Sequence, residues 1–143
     1  MRLFVPHTKI QPATRIALRS LSYVAYPVTD YVAYWRERWV EGQTFISVEP
    51  DVVPWPGALE ALDACPEPWC AYAYAPNEVW SEGGFPYLGC VKFSAAFIAA
   101  TPHIWDGASD WRTLDLHLAD RAPLPVHQHF PPVVNANPIL LGD

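Results

Sequence analysis

The sequence predicts a single small α/β domain, residues 1–143, with a mixed β-sheet whose first three strands are parallel. Strand-like and helix-like segments alternate over residues 2–50 in the order β-α-β-α-β. The length of 143 residues is that of one ordinary domain. The second half alternates less regularly and ends in a proline-rich tail. Together these observations indicate a parallel half-sheet that is extended by less regular elements.

Three short apolar segments predict the parallel strands. They read "RLFV", "SYVAY" and "TFISV", and each is rich in β-branched or aromatic residues. Helix-like segments of about ten residues separate them, and connections of this kind imply parallel pairing through right-handed crossovers. We therefore expect a half-sheet of the type that binds nucleotides.

The two helices between these strands have recognisable ends. Pro12 lies in the first turn of "PATRIALRSL". The segment "TDYVAYWRERWVEG" offers Thr29 or Asp30 as N-cap and Gly42 as its end. Four of its aromatic residues share one helical face: Tyr31, Tyr34, Trp35 and Trp39. We expect this aromatic stripe to pack on the sheet.

Further elements are predicted in the second half. "PGALEALDAC" indicates a short helix begun by Pro56, "CAYAY" and "LGCVKF" indicate strands, and "SAAFIAA" indicates a helix with Ser94 as N-cap. "SDWRTLDLHLAD" predicts a last helix that is capped by Ser109 or Asp110.

Two segments are predicted to lack regular structure. "APNEVWSEGGFPY" is polar and glycine-rich, and we expect a mobile loop that pivots at Gly83 and Gly84. "LPVHQHFPPVVNANPILLGD" holds too many prolines for a central strand, because proline cannot donate to the ladder. We expect an extended tail that lies across the site.

Composition excludes several classes of protein. Apolar residues make up 51% and charged residues 17%, which excludes a disordered chain. The net charge is −6 and no Lys/Arg cluster occurs, so nucleic acid is not expected as the main partner. There is no secretory apolar segment and no membrane span, and the three cysteines lack CxxC spacing. We therefore expect a cytoplasmic protein with buried reduced thiols, and the aromatic content leaves room for a homo-oligomer.

Two acids follow the third strand. Glu49 and Asp51 are separated by Pro50, and alternation along an extended chain places them on the same side. Their like charges repel unless a cation or a proton lies between them. In open α/β sheets, ligands bind beyond the carboxyl ends of the strands. The pair is therefore predicted to contribute half of a Mg²⁺ or Mn²⁺ site, although two solvated acids in a turn are the simpler alternative.

Histidines and one tryptophan are further candidates for the site. His127 and His129 share one face of an extended segment, as ligands of a transition metal would, and we expect them to join the two acids in one metal site. His7 follows the first strand and could instead line the base or ribose of a ligand. Trp80 lies in the polar loop and could stack against a sugar or base.

The order of several segments resembles a known family. "FISVEPDVVPWPGALEAL", "CPEPWCAYAY", "YLGCVKFSAAFI", "WRTLDLHL" and "HQHFPPVVNANP" together resemble small glycosyltransferase-like proteins of bacteria and phages that are related to the GT-A fold. The resemblance covers nearly the whole chain, and its specific part is the acid-x-Asp element at Glu49 and Asp51.

The resemblance implies roles for particular residues. Glu49 and Asp51 would hold the divalent cation that bridges the diphosphate of a nucleotide sugar, with Glu49 on the metal or the ribose. His127 or His129 would complete the metal shell. The general base that deprotonates the acceptor would be Asp115 or, failing that, Asp110, and the identity of the acceptor is not predicted.

The predicted function is therefore metal-dependent glycosyl transfer from a nucleotide-sugar donor. One alternative is a catalytically inactive module of the same fold that binds a nucleotide or a sugar. Another is a metal-dependent hydrolase that uses the same acids and histidines, although no complete ligand motif such as HExxH is present.

Overall fold

The computed structural model describes residues 1–75, 88–110 and 113–136. The elements of the first half, in chain order, are β1 (Leu3–His7), α1 (Pro12–Ala17), β2 (Val24–Pro27), α2 (Tyr31–Glu41) and β3 (Phe45–Val48). They are followed by β4 (Val52–Val53), α3 (Ala58–Ala64), β5 (Trp69–Ala75), β6 (Cys90–Phe93), α4 (Ala95–Ala100), α5 (Leu114–Arg121) and β7 (His127–Asn135).

The strands form one mixed, curled sheet in the order β2-β1-β3-β6-β5-β7-β4. β1 pairs in parallel with both β2 and β3, which confirms the predicted parallel half-sheet. β6 is antiparallel to β3 and to β5, while β7 is parallel to β5 and antiparallel to β4. The carboxyl ends of β1, β2 and β3 therefore lie together at one edge.

The curl of the sheet follows from the position of β4. Only three residues separate Val48 at the end of β3 from Val52 at the start of β4. Those few residues span at most about 14 Å, whereas four strand spacings between β3 and β4 in a flat sheet would need about 19 Å. The sheet must bend for β4 to reach its far edge.

Helices cover both faces of the sheet. Residues of α2, α4 and α5 share a core cluster with Phe45 and Phe93, while residues of α3 share a second cluster with Val5 and Val48. The predicted aromatic stripe of α2 packs on the sheet as expected: the rings of Trp39 and Phe93 lie 4.9 Å apart and those of Trp35 and Phe93 lie 5.9 Å apart. Such pairs add to the burial of apolar area.

Most predicted helix ends are confirmed. The carboxylate of Asp30 accepts hydrogen bonds from two backbone amides in the first turn of α2, and Gly42 ends that helix with φ of 68°. Ser94 caps α4 by accepting from the amide of Phe97 at 3.1 Å. The cap of α5 differs, because that helix begins after Thr113 rather than after Ser109 or Asp110.

The C-terminal segment forms a central strand, so the prediction that it is a tail lying across the site is wrong. β7 lies between β5 and β4. Tyr72 pairs with His129, and the next register pair places Val133 beyond Pro131 and Pro132. The two prolines thus lie in a bulge, where pairing between the strands needs no hydrogen bond from their backbone nitrogens.

The expected state of the cysteines is also corrected. Cys65 and Cys70 form a disulfide, while Cys90 is free and buried. Among the described residues, no helix has both the length and the apolar character needed to cross a membrane. The predicted mobile loop, with Gly83, Gly84 and Trp80, falls outside the described residues.

Candidate functional site

A cavity among the described residues opens at the carboxyl edge of the parallel strands. Its volume is about 920 Å³, which lies in the range of small-molecule sites. Its lining comes from the segment after β1, the start of α2, the turn after β3, the chain before β6 and the start of α5. Three of the predicted acids line it: Glu49, Asp51 and Asp115.

The turn that carries the first two acids is fixed by backbone hydrogen bonds on every side. The carbonyl of Pro50 accepts from the amide of Gln11 at 2.9 Å, which ties the turn to the segment after β1. The amide of Glu49 donates to the carbonyl of Gly89 at 2.9 Å, and the carbonyl of Asp51 accepts from the amide of Ala136. The turn is therefore held between three separate parts of the chain.

Asp115 reaches the same cavity from α5. It lies in the first turn of α5, and its Oδ1 accepts a hydrogen bond from the amide of Leu88 at 2.9 Å. Leu88 precedes Gly89, which holds Glu49, so adjacent residues before β6 position both acids. The N-terminus of a helix also favours a negative charge there.

Burial and like charges alter the acidity of this group. Burial is the main cause that raises the pKa of Glu49 to about 8, and the negative charges of Asp115 and then Asp51 add to it. Burial also raises the pKa of Asp51. Near neutral pH the carboxyl group of Glu49 thus holds a proton, and a cation would replace that proton.

Several lining residues are not predicted from the sequence as part of the site, among them Tyr31 and Lys9. Tyr31 was expected only to pack on the sheet, but it lines the cavity. Its pKa is raised to about 12, mainly by burial and then by the charges of Glu49 and Asp51. Lys9 lines the cavity from the segment after β1. Its position beyond the carboxyl end of a parallel strand was the available signal.

The structure does not bring the tail histidines to the acids. His127 and His129 lie on β7 beside Cys70 and Tyr72 of β5, in the layer that α3 covers. The carbonyl of Asp51 bonds to this part of the chain only at Ala136, which follows the end of β7 and lies seven residues beyond His129. The expected joint site of acids and histidines is therefore not formed.

The remaining predicted site residues are His7, Asp110 and Trp80. His7 ends β1 beside the cavity, and its Nδ1 is buried without a hydrogen-bond partner among the described residues. Asp110 lies in the turn before α5, where its carbonyl accepts from the amide of Thr113 at 3.1 Å. Trp80 falls outside the described residues, so its stacking role stays a prediction.

Comparisons with known proteins add little about activity. No protein-family model matches the chain, and no curated protein matches it significantly. One solved structure that it matches is titled "crystal structure of a glycosyltransferase involved in the glycosylation of the major capsid of PBCV-1". The match has 14% identity and a TM-score of 0.49, and covers 91% of this chain and 81% of that one. Those values do not identify a shared activity, so the activity has to be argued from the cavity.

Proposed function

We propose that the protein is a metal-dependent glycosyltransferase that takes its sugar from a nucleotide-sugar donor and has a GT-A-like arrangement. One observation carries the proposal. The carboxyl groups of Glu49, Asp51 and Asp115 line one cavity of about 920 Å³ at the carboxyl edge of parallel strands, and the pKa of Glu49 there is about 8. A cluster of this kind favours a divalent cation together with an anionic ligand.

The donor set fits a hard cation. Carboxylate oxygens are the ligands that Mg²⁺ and Mn²⁺ prefer, and one or two of them commonly suffice when a substrate phosphate completes the shell. Glu49 and Asp51 supply these oxygens from a turn whose backbone is fixed on three sides. The histidines of β7 have no part in this set. Bound there, the cation would supply Lewis-acid stabilisation of the diphosphate leaving group.

The charges around the cavity explain why an anionic donor would need that cation. Lys9 is the basic residue among the lining residues that the structure describes, whereas four acids line the same cavity: Asp30, Glu49, Asp51 and Asp115. A diphosphate entering alone would be repelled by the carboxylates. Lys9 is placed to contact a phosphate oxygen once the acidic charge is neutralised.

Asp115 is the base in this proposal. It lines the same cavity from α5, and the amide of Leu88 orients its carboxylate. An acceptor hydroxyl bound in the cavity would give its proton to Asp115 as the hydroxyl oxygen attacks the sugar carbon. The bond from that carbon to the phosphate oxygen breaks in the same step, and the leaving diphosphate takes the electron pair.

Binding and turnover of a donor panel test the proposal. Thermal unfolding is measured with UDP-sugars and GDP-sugars, each with and without Mn²⁺. A donor at 100 times its dissociation constant should add about 2.7 kcal/mol of stability, and only with the metal. Asp51→Ala should abolish this stabilisation, whereas its matched control Asp63→Ala, at an exposed position of α3, should keep it.

The base is tested separately from donor binding. Asp115→Asn should keep the metal-dependent stabilisation by the donor and slow sugar release or transfer by about 10²–10⁴-fold. Asp120→Asn changes an exposed acid of the same helix and should retain full activity. Donor binding without any turnover would favour the inactive binding module. Cleavage of phosphate esters without sugar preference would favour the hydrolase, and unchanged donor binding by Asp51→Ala would refute the proposal.

A further inference from the structure

A second cluster of metal-ligating side chains lies away from the acidic cavity. The ligand atoms of Cys65, Cys70 and His129 all lie within 4.8 Å of one another. Cys65 follows the last turn of α3, Cys70 is on β5, and His129 is on β7 beside Tyr72 of β5. Three separate parts of the chain thus bring two sulfurs and one imidazole close together.

The imidazole of His129 lacks a partner in this cluster. Its Nε2 is buried and has no hydrogen-bond partner among the described residues. A buried polar atom that is left unpaired destabilises the fold, so such atoms usually have a ligand, a water or an ion beside them. The other ligand atoms of this cluster are the two sulfurs.

The backbone positions of the cysteines suit two metal ligands. Their Cα atoms lie 6.9 Å apart, which is wider than the usual separation of about 5.5–6 Å for a disulfide. Zinc–sulfur bonds of about 2.3 Å in a tetrahedral shell hold two sulfurs further apart than a disulfide does. Little backbone movement is therefore needed to change from the disulfide to a metal site.

We propose that the reduced chain binds one Zn²⁺ through the thiolates of Cys65 and Cys70 and the imidazole of His129. Two thiolates and one imidazole are a donor set that zinc prefers over Mg²⁺ or Mn²⁺. Water, or His127, takes the fourth position; the ring of His127 lies 5.1 Å from that of His129. The disulfide and the zinc form are thus alternative states of one site.

Electrons and protons balance in the change from the disulfide to the zinc form. A dithiol reductant passes two electrons and two protons to the Cys65–Cys70 bond, and is itself oxidised to a disulfide, so that two thiols result. Zn²⁺ then displaces one proton from each thiol. The side chain of Lys92 donates to the carbonyls of Asp63 and Cys65 at 2.7 and 2.8 Å, which holds the loop between α3 and β5 in either state.

Cobalt serves as a spectroscopic probe for this site. The protein is reduced, the reductant is removed under anaerobic conditions, and Co²⁺ is added. We expect one equivalent to bind with thiolate-to-cobalt charge-transfer absorption and the visible bands of a tetrahedral site, and one equivalent of Zn²⁺ to displace it. The oxidised protein should show no such bands.

Variants assign the ligands. Cys65→Ser and Cys70→Ser should lose the charge-transfer band, and His129→Ala, which leaves both cysteines in place, should weaken cobalt binding by about 10²-fold or more. Cys90→Ser changes the buried free thiol and should bind cobalt normally. Asp51→Ala should also bind normally, which separates this site from the acidic cavity.

Two results would overturn the zinc site. One is a folded, reduced chain that shows no thiolate charge-transfer band; the other is unchanged cobalt affinity in both Cys65→Ser and His129→Ala. If the reduced chain loses its structure, far-ultraviolet circular dichroism decides the question: one equivalent of Zn²⁺ should restore the fold, and failure to restore it counts against the site.

Discussion

Replacing Glu49 by glutamine should raise stability at alkaline pH. Because the folded pKa, about 8, lies above the ordinary 4.5, the folded chain holds a proton that the unfolded chain has lost between these values. The free energy of unfolding should therefore be highest below pH 4.5, fall as pH rises toward 8, and be lowest above pH 8. Glutamine is uncharged and of the same shape, so it should remove this contribution.

The size of the expected gain in stability follows from the difference between the folded and the ordinary pKa of Glu49. Each unit corresponds to about 1.4 kcal/mol, so the displacement from 4.5 to about 8 sets an upper limit of about 5 kcal/mol. Glu49 is only partly buried, and access of water reduces the expected gain to about 2–3 kcal/mol. For a domain of this size each kcal/mol raises Tm by roughly 2–5 °C. Glu49→Gln should thus melt roughly 5–10 °C above the parent at pH 8.5.

The assay compares unfolding of the two proteins by urea and by heat from pH 5 to pH 9, with a chelator present. The difference between them should be small at pH 5 and grow with pH, because only the parent titrates at this position. Glu60→Gln, at an exposed position of α3, is the matched control and should leave the pH dependence of the parent unchanged. Parallel pH profiles for the parent and Glu49→Gln would refute the assigned pKa and with it the electrostatic account of the cavity.

Three further predictions concern single side chains. Asp30→Ala should lower the free energy of unfolding by about 1 kcal/mol in urea, because two amides of α2 lose their acceptor, whereas Asp30→Asn should retain most of it. Trp39→Phe should cost about 1–3 kcal/mol, because its Nε1 donates to the buried carbonyl of Thr101 at 3.0 Å, and stabilisation by the donor should be unaffected. Lys9→Ala should weaken donor binding about tenfold in calorimetry, with the loss shrinking at high salt; a loss that ignores salt would contradict the electrostatic role.

The regular first half was predictable because local patterns determine it. Apolar strands, the Asp30 cap and the Gly42 terminator each depend on a few neighbouring residues, and all reappear in the structure. The parallel pairing follows because a helix between two strands leaves few other connections. The placement of Glu49 and Asp51 at the carboxyl edge follows from the same reasoning.

The parts that sequence reasoning missed depend on distant contacts. The prolines of β7 argue against a central strand, yet a bulge between the register pairs of Tyr72 and Tyr74 accommodates them. The pairing of Cys65 with Cys70 depends on where α3 ends relative to β5, which spacing alone does not reveal. His127 and His129 were assigned to the acids on chemical type, whereas the register of β7 places them in the other layer of the domain.

The backbone hydrogen bond from the amide of Ala136 to the carbonyl of Asp51 joins residues that are far apart in the sequence. The pairing of β4 with β7 has the same long range. Contacts of this kind raise the contact order and slow folding, because a long loop must close before they form. On a ribosome, the turn that carries Glu49 and Asp51 would emerge before β7 and remain unanchored on this side until β7 has followed. The hydrogen bond from Ala136 to this turn therefore forms only after β7 has docked, and metal affinity during refolding would report that docking.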